Sequence, residues 1–490
     1  MFSTIFLLAF FADTNPILTP APGPAPKINS PKVYGTRPGM PFLYRIPCTG
    51  TRPIQFEAKG LPAGITLDSK TGILTGTTPA SPGEFPITLS AKNSAGKASK
   101  IFRLRVGDTL ALTPPMGWNH WYTHYCRVTD GVIRRAADAM ITSGMADFGY
   151  EFVSIDDCWM PPPGDKARDA QGRPLSNDKF PDMKGLADYI HAKGLKAGLY
   201  TSPGPTTCQK LEGAWQHEAI DAKTFAEWGY DLLKYDWCGY RRIVPKPTVE
   251  DSRKPYELMG RLLQQQPRSI QLNLCQYGVN EVWKWGAEVG GQSWRTTGDL
   301  GLAKDTTLPG FYSIAFKNML LSDYAKPGQW NDPDYILIGW YGSAFKQEEA
   351  KKAPHTADEQ YSYMSLWSLM AAPLFFSGDM ENLDAFTLNV LCNSEIIDIN
   401  QDILGKQALV IRKTDTDLVL AKPLEEGGLA VGLFNLGKEA RTLAATWTDL
   451  GIVGSRKARD PWRQRDLPAM QGKFEATVAP HGVALVRLRN

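Results

Sequence analysis

Eight short apolar runs, each breaking off at polar or aromatic residues, recur between residues 108 and 405: "PPMGWNHW", "EFVSIDDCW", "LKAGLYTS", "DLLKYDWC", "SIQLNLCQ", "SWRTTGD", "QWNDPDYIL" and "PLFFSGD". Amphipathic stretches such as "GLADYIHAKG" and "DAKTFAEWG" lie between some of them. Runs this short and continuous read as strands buried on both faces, and the intervening periodicity reads as helix. Eight strand–helix units over roughly 250–300 residues is the size of a (β/α)8 barrel. A doubly wound sheet is the competing topology, but no G-x-G-x-x-G or G-x-x-x-x-G-K-[ST] loop supports a nucleotide site.

The flanks are of another kind. Residues 30–107 alternate apolar and polar between Gly/Pro turns ("GEFPITLSAKNSAGKASKIFRLRV"), which predicts a small antiparallel β-sandwich with no catalytic cluster. Residues 406–490 return to that alternation ("DLVLAKPLEEGGLAVGLFNLG", "FEATVAPHGVALVRLRN") and predict a second β-sandwich. Ahead of both, "MFSTIFLLAFFADTN" (1–15) is too short to span a bilayer and reads as a secretory signal, although it has no basic n-region and Phe10 spoils an A-x-A site before Ala12. Residues 16–29 are a Pro-rich linker. A secreted, periplasmic or cell-surface protein without a membrane span is expected. A net charge of +3 over 490 residues, with no Lys/Arg cluster, argues against a nucleic-acid partner.

In a barrel the reactive groups collect at the carboxyl ends of the strands. Here those ends carry Trp121, Asp156 and Asp157, Tyr200, Lys234 and Asp236, Cys275 and Gln276, Arg295 and Asp299, and Asp332 and Asp334. One such aspartate is ordinarily an ion-pair partner, but several carboxylates on one rim beside two cations suit a site that uses them in different protonation states. Metal-assisted hydrolysis is the weaker reading. His120 and His124 are four apart but follow a strand, without the H-E-x-x-H pattern, and the other four histidines show no ligand spacing. No metal and no cofactor is expected. Glycoside hydrolysis needs two carboxyl groups flanking a sugar acetal, and Asp236 and Asp299 are suitably placed.

The motifs "LTPPMGWNHW", "SIDDCW", "GLYTSPGPTTC", "LLKYDWC", "WRTTGD" and "WNDPD", in that order over residues 108–490, resemble glycoside hydrolase family 27, the family of α-galactosidases. Residues 60–96 likewise resemble the immunoglobulin-like modules of bacterial surface and secreted proteins. The first resemblance implies a retaining, exo-acting α-galactosidase that releases terminal α-linked D-galactose from oligo- or polysaccharides. Asp236 would be its nucleophile and Asp299 its general acid/base. Asp156, Asp157, Lys234 and Arg295 would bind sugar hydroxyls, and Trp121 and Tyr200 would line the pocket. Lys234 shares a strand face with Asp236, so its ammonium should favour the ionised nucleophile. Asp299 would have to carry a proton at working pH. A guanidinium beside it would oppose that, so Arg295 is expected to point at substrate or another carboxylate.

The resemblance also implies the disulfides Cys126–Cys158 and Cys208–Cys238, hence an oxidising compartment, whereas spacing alone allows other pairings. Cys48, Cys275 and Cys392 are expected to be buried thiols. One departure bears on the sugar. The family's galactosidases usually show C-E-W after the fifth strand, and this chain has "CQYG", so Gln276 stands where a glutamate meets the 2-hydroxyl. An amide oxygen still accepts that hydrogen bond, but its NH2 adds donors. β-L-Arabinopyranoside is therefore the second-ranked substrate, and a non-catalytic carbohydrate-binding barrel is the alternative from another class.

Overall fold

The computed structural model describes residues 16–164, 166–300, 308–342 and 348–490, so the expected signal segment lies outside the described residues. All eight apolar runs contain strands: β1 (Met116–Asn119), β2 (Phe152–Ser154), β3 (Lys196–Thr201), β4 (Leu232–Asp236), β5 (Gln271–Cys275), β6 (Ser293–Arg295), β7 (Trp330–Asp332) and β8 (Leu374–Phe376). Each pairs in parallel with its sequence neighbour from β1 to β7, and β8 pairs in parallel with β1. A parallel bridge between Ile336, just past β7, and Phe376 of β8 closes the cylinder. β1, β2, β3, β6, β7 and β8 are buried along their whole length, as strands covered by an inner layer and an outer ring of helices must be.

The crossovers start where the sequence supplies caps. Thr129 accepts from the Val132 amide at the head of α1 (Asp130–Thr142), and Asp182 from the Gly185 amide at the head of α2 (Met183–His191). After α3 (Glu218–Trp228), α4 (Val249–Gln264) opens with a Thr248/Asp251 capping box. The β5–β6 connection makes only a 3-10 turn over Val279–Lys284, and α5 (Gly310–Asn318) leads back to β7. α6 (Ala357–Leu369), with its own Thr356/Glu359 box, is buried on nearly every side because the C-terminal sandwich lies against it. Trp462 Nε1 donates to Ser365 Oγ (2.9 Å), Ser362 Oγ to the His481 carbonyl (2.8 Å), and His481 Nδ1 meets Glu359 Oε1 (2.8 Å).

That sandwich sets a six-stranded antiparallel sheet beside the antiparallel pair Arg441–Thr446 and Lys473–Val478. The N-terminal module sets a four-stranded sheet beside a three-stranded one. It departs from the all-antiparallel expectation in one place: Val33–Thr36 runs parallel to the end of Gly96–Val106. Alternation records which face is buried and carries no information about a partner's direction.

Candidate active site

The carboxyl ends of the barrel strands carry a buried network of charge. Register puts Tyr200 beside Lys234, Asp236 beside Cys275, and Arg295 beside Asp332. Past the end of β2, Asp156 Oδ2 accepts from Lys234 Nζ (2.8 Å), Asn119 Nδ2 (2.9 Å) and the Tyr335 hydroxyl (3.0 Å). Burial pushes the Asp156 carboxyl up, but the Lys234 ammonium and His120 outweigh it and hold it below the usual range. Burial also works against the Lys234 charge, and Asp156, foremost among its neighbours, keeps the amine protonated.

Asp157 faces the other way. Its Oδ1 accepts from the Cys158 amide (2.7 Å) and its Oδ2 from the Gln209 amide (3.0 Å), which ties the loop after β2 to the loop after β3. Burial still dominates, and the carboxyl is pushed up to about 7. The disulfide Cys126–Cys158 ties the loop after β2 to the one after β1, Cys208–Cys238 ties the loop after β3 to the one after β4, and Tyr125 donates to Gln209 Oε1 (2.5 Å) between the two pairs. Cys48 and Cys275 are buried thiols, whereas Cys392 is only half-buried.

Asp236 ends β4. Burial raises its pKa to about 6, Lys234 and a hydrogen bond from Tyr277 pull it down, and the charges of Asp299 and Asp156 push it up. Lys234 favours the ionised carboxylate, as expected, but desolvation is the larger effect. Tyr277 donates to Asp236 Oδ1 at 2.6 Å. Arg295 departs from expectation as well. Its Nη2 lies 3.1 Å from Asp334 Oδ2, as another carboxylate was expected to be, but also 3.2 Å from Asp299 Oδ1. Asp334 lets the guanidinium sit there by sharing its charge, and it also accepts from the Tyr122 hydroxyl (2.9 Å) and the Leu300 amide (3.0 Å).

Three expected residues stand at the edge of this network. Trp121 opens a helical turn after β1 and leans on Tyr125, ring centroids 4.8 Å apart. The Tyr200 hydroxyl donates to Cys208 Sγ (3.2 Å). Gln276 Nε2 donates to the Val279 carbonyl (2.8 Å), which leaves its buried Oε1 without a partner among the described residues. Cys208, Asp236 and Cys238 converge within 4.8 Å, but both sulfurs are held in a disulfide, so the group offers a metal one carboxylate.

Sequence reading named Asp334 as a strand-end acid without giving it a role, and passed over Asn119, Tyr122, Tyr277 and Tyr335. Asn119 had a signal, as a polar residue ending an apolar strand, and Tyr277 stood next to the residue flagged in "CQYG". Tyr125, Cys158, Tyr277 and Asp334 all have positive φ (47°, 81°, 66° and 96°), a concentration of backbone strain at one rim.

A curled parallel sheet of eight strands with a rim of interacting carboxylates defines a (β/α)8 barrel enzyme site. Residues 113–402 match the family model described as Alpha galactosidase A, and residues 415–488 match the Alpha galactosidase C-terminal beta sandwich domain. Residues 25–107 match the He_PIG Ig-like domain. Alpha-galactosidase 2 of Arabidopsis thaliana is 37% identical over 392 residues, covering 79% of this chain and 92% of that protein. A candidate α-galactosidase/melibiase structure from Bacteroides fragilis superposes with a TM-score of 0.88 at 34% identity, over 96% of this chain and 99% of that one. For α-galactosidase I of Mortierella vinacea the TM-score is 0.71 at 30% identity, over 78% and 98%. The chain belongs to glycoside hydrolase family 27, the α-galactosidase family.

Proposed function

We propose that the chain is a retaining, exo-acting α-galactosidase that removes terminal α-linked D-galactose from oligo- or polysaccharides. The observation that carries this reading is the pair Asp236 and Asp299 at one rim: Tyr277 donates to Asp236 Oδ1 (2.6 Å), and Arg295, 5.8 Å from the Tyr277 ring centroid, lies 3.2 Å from Asp299 Oδ1. Asp236 attacks the anomeric carbon while Asp299 delivers its proton to the leaving oxygen, forming a glycosyl ester and a free alcohol. Asp299 then takes a proton from water as the water oxygen displaces Asp236, which restores both groups. Such a double displacement calls for carboxyl groups about 5–5.5 Å apart.

The remaining roles follow from what each side chain has left to offer. Asp156 and Lys234 form a donor–acceptor edge for adjacent ring hydroxyls, and Arg295 presents a guanidinium beside Asp299. Asp157 fixes the loop that carries Thr207 and Gln209 and keeps acceptor capacity for one sugar hydroxyl. The buried, unpartnered Gln276 Oε1 suits the 2-hydroxyl, and Trp121 and Tyr200 give the sugar apolar faces. Buried acceptors of this kind penalise the wrong epimer strongly. The two disulfides support secretion into an oxidising compartment. The module over residues 30–107 is read as an accessory unit.

Hydrolysis of p-nitrophenyl α-galactoside by wild type and by Asp236→Asn tests the reading. A loss of at least about a thousandfold in the variant is expected, on the scale of removing a covalent nucleophile. An initial product in the α-configuration, followed by proton NMR, is expected for retention. Wild type as slow as the variant would favour a binding barrel, and faster turnover of the aryl β-L-arabinopyranoside would replace the sugar.

A further inference from the structure

We infer that Tyr277 is the positioning residue of Asp236: its phenol holds Oδ1, so that Oδ2 is the oxygen presented to the anomeric carbon. This deepens the reading of Asp236 as nucleophile and rests on it. The contact is short, 2.6 Å, and Asp236 Oδ2 has no hydrogen bond among the described residues. A carboxylate pinned through one oxygen loses its rotation about the Cβ–Cγ bond, and an attacking atom gains from being held near its line of approach.

The backbone is shaped to make this contact. Tyr277 sits at φ 66°, where a side chain other than glycine's is disfavoured. Gly278 follows at φ 80°, and a Cβ there would lie 2.3 Å from the Thr296 carbonyl oxygen. The turn after β5 therefore needs a glycine at 278, and it swings residue 277 back over the end of β4. The phenol ring is flanked by two guanidinium groups, Arg241 Cζ at 5.7 Å and Arg295 Cζ at 5.8 Å from its centroid. The hydroxyl lies 3.4 Å from Cys238 Sγ, but a disulfide sulfur is a weak acceptor beside a carboxylate at 2.6 Å. Burial and the charge of Asp236 keep the phenol protonated, so it remains a donor at any working pH.

Asp236 also faces Lys234 on its own strand, Asp299 beyond β6, Asp156 beyond β2, and Tyr200 and Cys275 on the flanking strands. Of these, Lys234 favours the ionised carboxylate, as Tyr277 does. Removing the phenolic donor should therefore move Asp236 to a higher titration midpoint.

The test is Tyr277→Phe, read in two ways. In kinetics on p-nitrophenyl α-galactoside, kcat should fall about tenfold or more with KM within about twofold, and the acid limb of the pH profile should move to higher pH. In carbon NMR of the full chain labelled at aspartate carboxyls, the Asp236 resonance, assigned by its loss in Asp236→Asn, should titrate at higher pH in Tyr277→Phe. An unmoved midpoint and an unmoved acid limb would overturn the inference even with an active wild type. A wild type without turnover would instead overturn the glycosidase reading, while the NMR titration would still report on the contact. Should Tyr277→Phe fail to fold, 3,5-difluorotyrosine placed at position 277 alone keeps the shape and strengthens the donor. The midpoint should then move down, and no movement would again overturn the inference.

Discussion

Asp236 is held where its charge is unwelcome. Burial lifts its pKa from 3.8 to about 6. Catalysis needs the carboxylate, so kcat/KM should fall with decreasing pH below about 6, as a pH–rate profile would show. The same shift acts on folding. Below pH 3.8 the group is protonated in both states and costs nothing. As pH rises from 3.8 to about 6 the unfolded chain loses the proton while the folded one keeps it, so stability falls, and the full penalty stands above pH 6. Lifting a carboxyl from 3.8 to about 6 corresponds to about 3 kcal/mol. Asp236→Asn should thus be inactive yet melt higher than wild type at pH 7–8, and lose that advantage near pH 4, as calorimetry at the two pH values would show. A melting temperature equal to wild type at both would contradict this account of Asp236. At this scale the sequence told which residues reach the rim but not how they bond there. Asp156 and Asp157 look alike in "SIDDCW", and only the path of the chain past β2 sends one carboxyl to Lys234 and the other to the Gln209 amide. Arg295 ends β6 and Asp299 lies four residues on, in a connection without regular structure, so no periodicity fixed their contact.

At the level of elements, the strands were readable because a barrel strand must be a continuous apolar run that stops at the functional face, and all eight stop in that way. The turns between them were not, since residues at positive φ such as Tyr277 and Asp334 leave no pattern in a sequence unless they are glycine. Two disulfides bind these turns together across separations of 30 and 32 residues. Loops of that length contribute about 3.5 kcal/mol each in the chain-entropy description. The Cys208–Cys238 bridge also supports function, because it fixes the loop whose Gln209 amide holds Asp157, and its sulfurs border the Tyr277 hydroxyl. Replacing both Cys208 and Cys238 by serine should lower the melting temperature and reduce kcat/KM on an aryl galactoside. The same change at Cys126 and Cys158 should affect stability at least as much as activity, since neither sulfur approaches Asp236 among the described contacts. Equal loss of kcat/KM in both double variants would refute the distinction.

On the scale of the whole molecule, the N-terminal module and the reactive rim occupy opposite ends of the barrel. The module touches residues that precede the strands. Arg52 pairs with Asp147 (2.6 Å), Lys196 at the start of β3 lies 3.9 Å from the Tyr34 ring centroid, and Gly149 and Gly194 leave no room for a Cβ beside Ser30 and Ile73. The reactive groups all lie at or beyond the carboxyl ends of the strands. Among the contacts at the module end, the Arg52–Asp147 pair is exposed enough that water screens it, and it should contribute less than about 1 kcal/mol. Arg37 is different. Its guanidinium donates to the carbonyls of Gln264, Gln266 and Arg268, the last at 2.8 Å, and so caps the C-terminal end of α4 with a positive charge where the helix leaves its carbonyls unpaired. Arg37→Ala should therefore destabilise the chain by about 1–2 kcal/mol, more than Arg52→Ala does, because three carbonyls lose a charged donor at once. Denaturant unfolding of the two variants measures the difference. Because α4 leads into β5 from the far end, kcat and KM should both remain within about twofold of wild type in Arg37→Ala at temperatures well below its melting point. A loss of kcat there without loss of structure would mean that the module acts on the rim through β5, and the separation of a supporting end from a reactive end would fail.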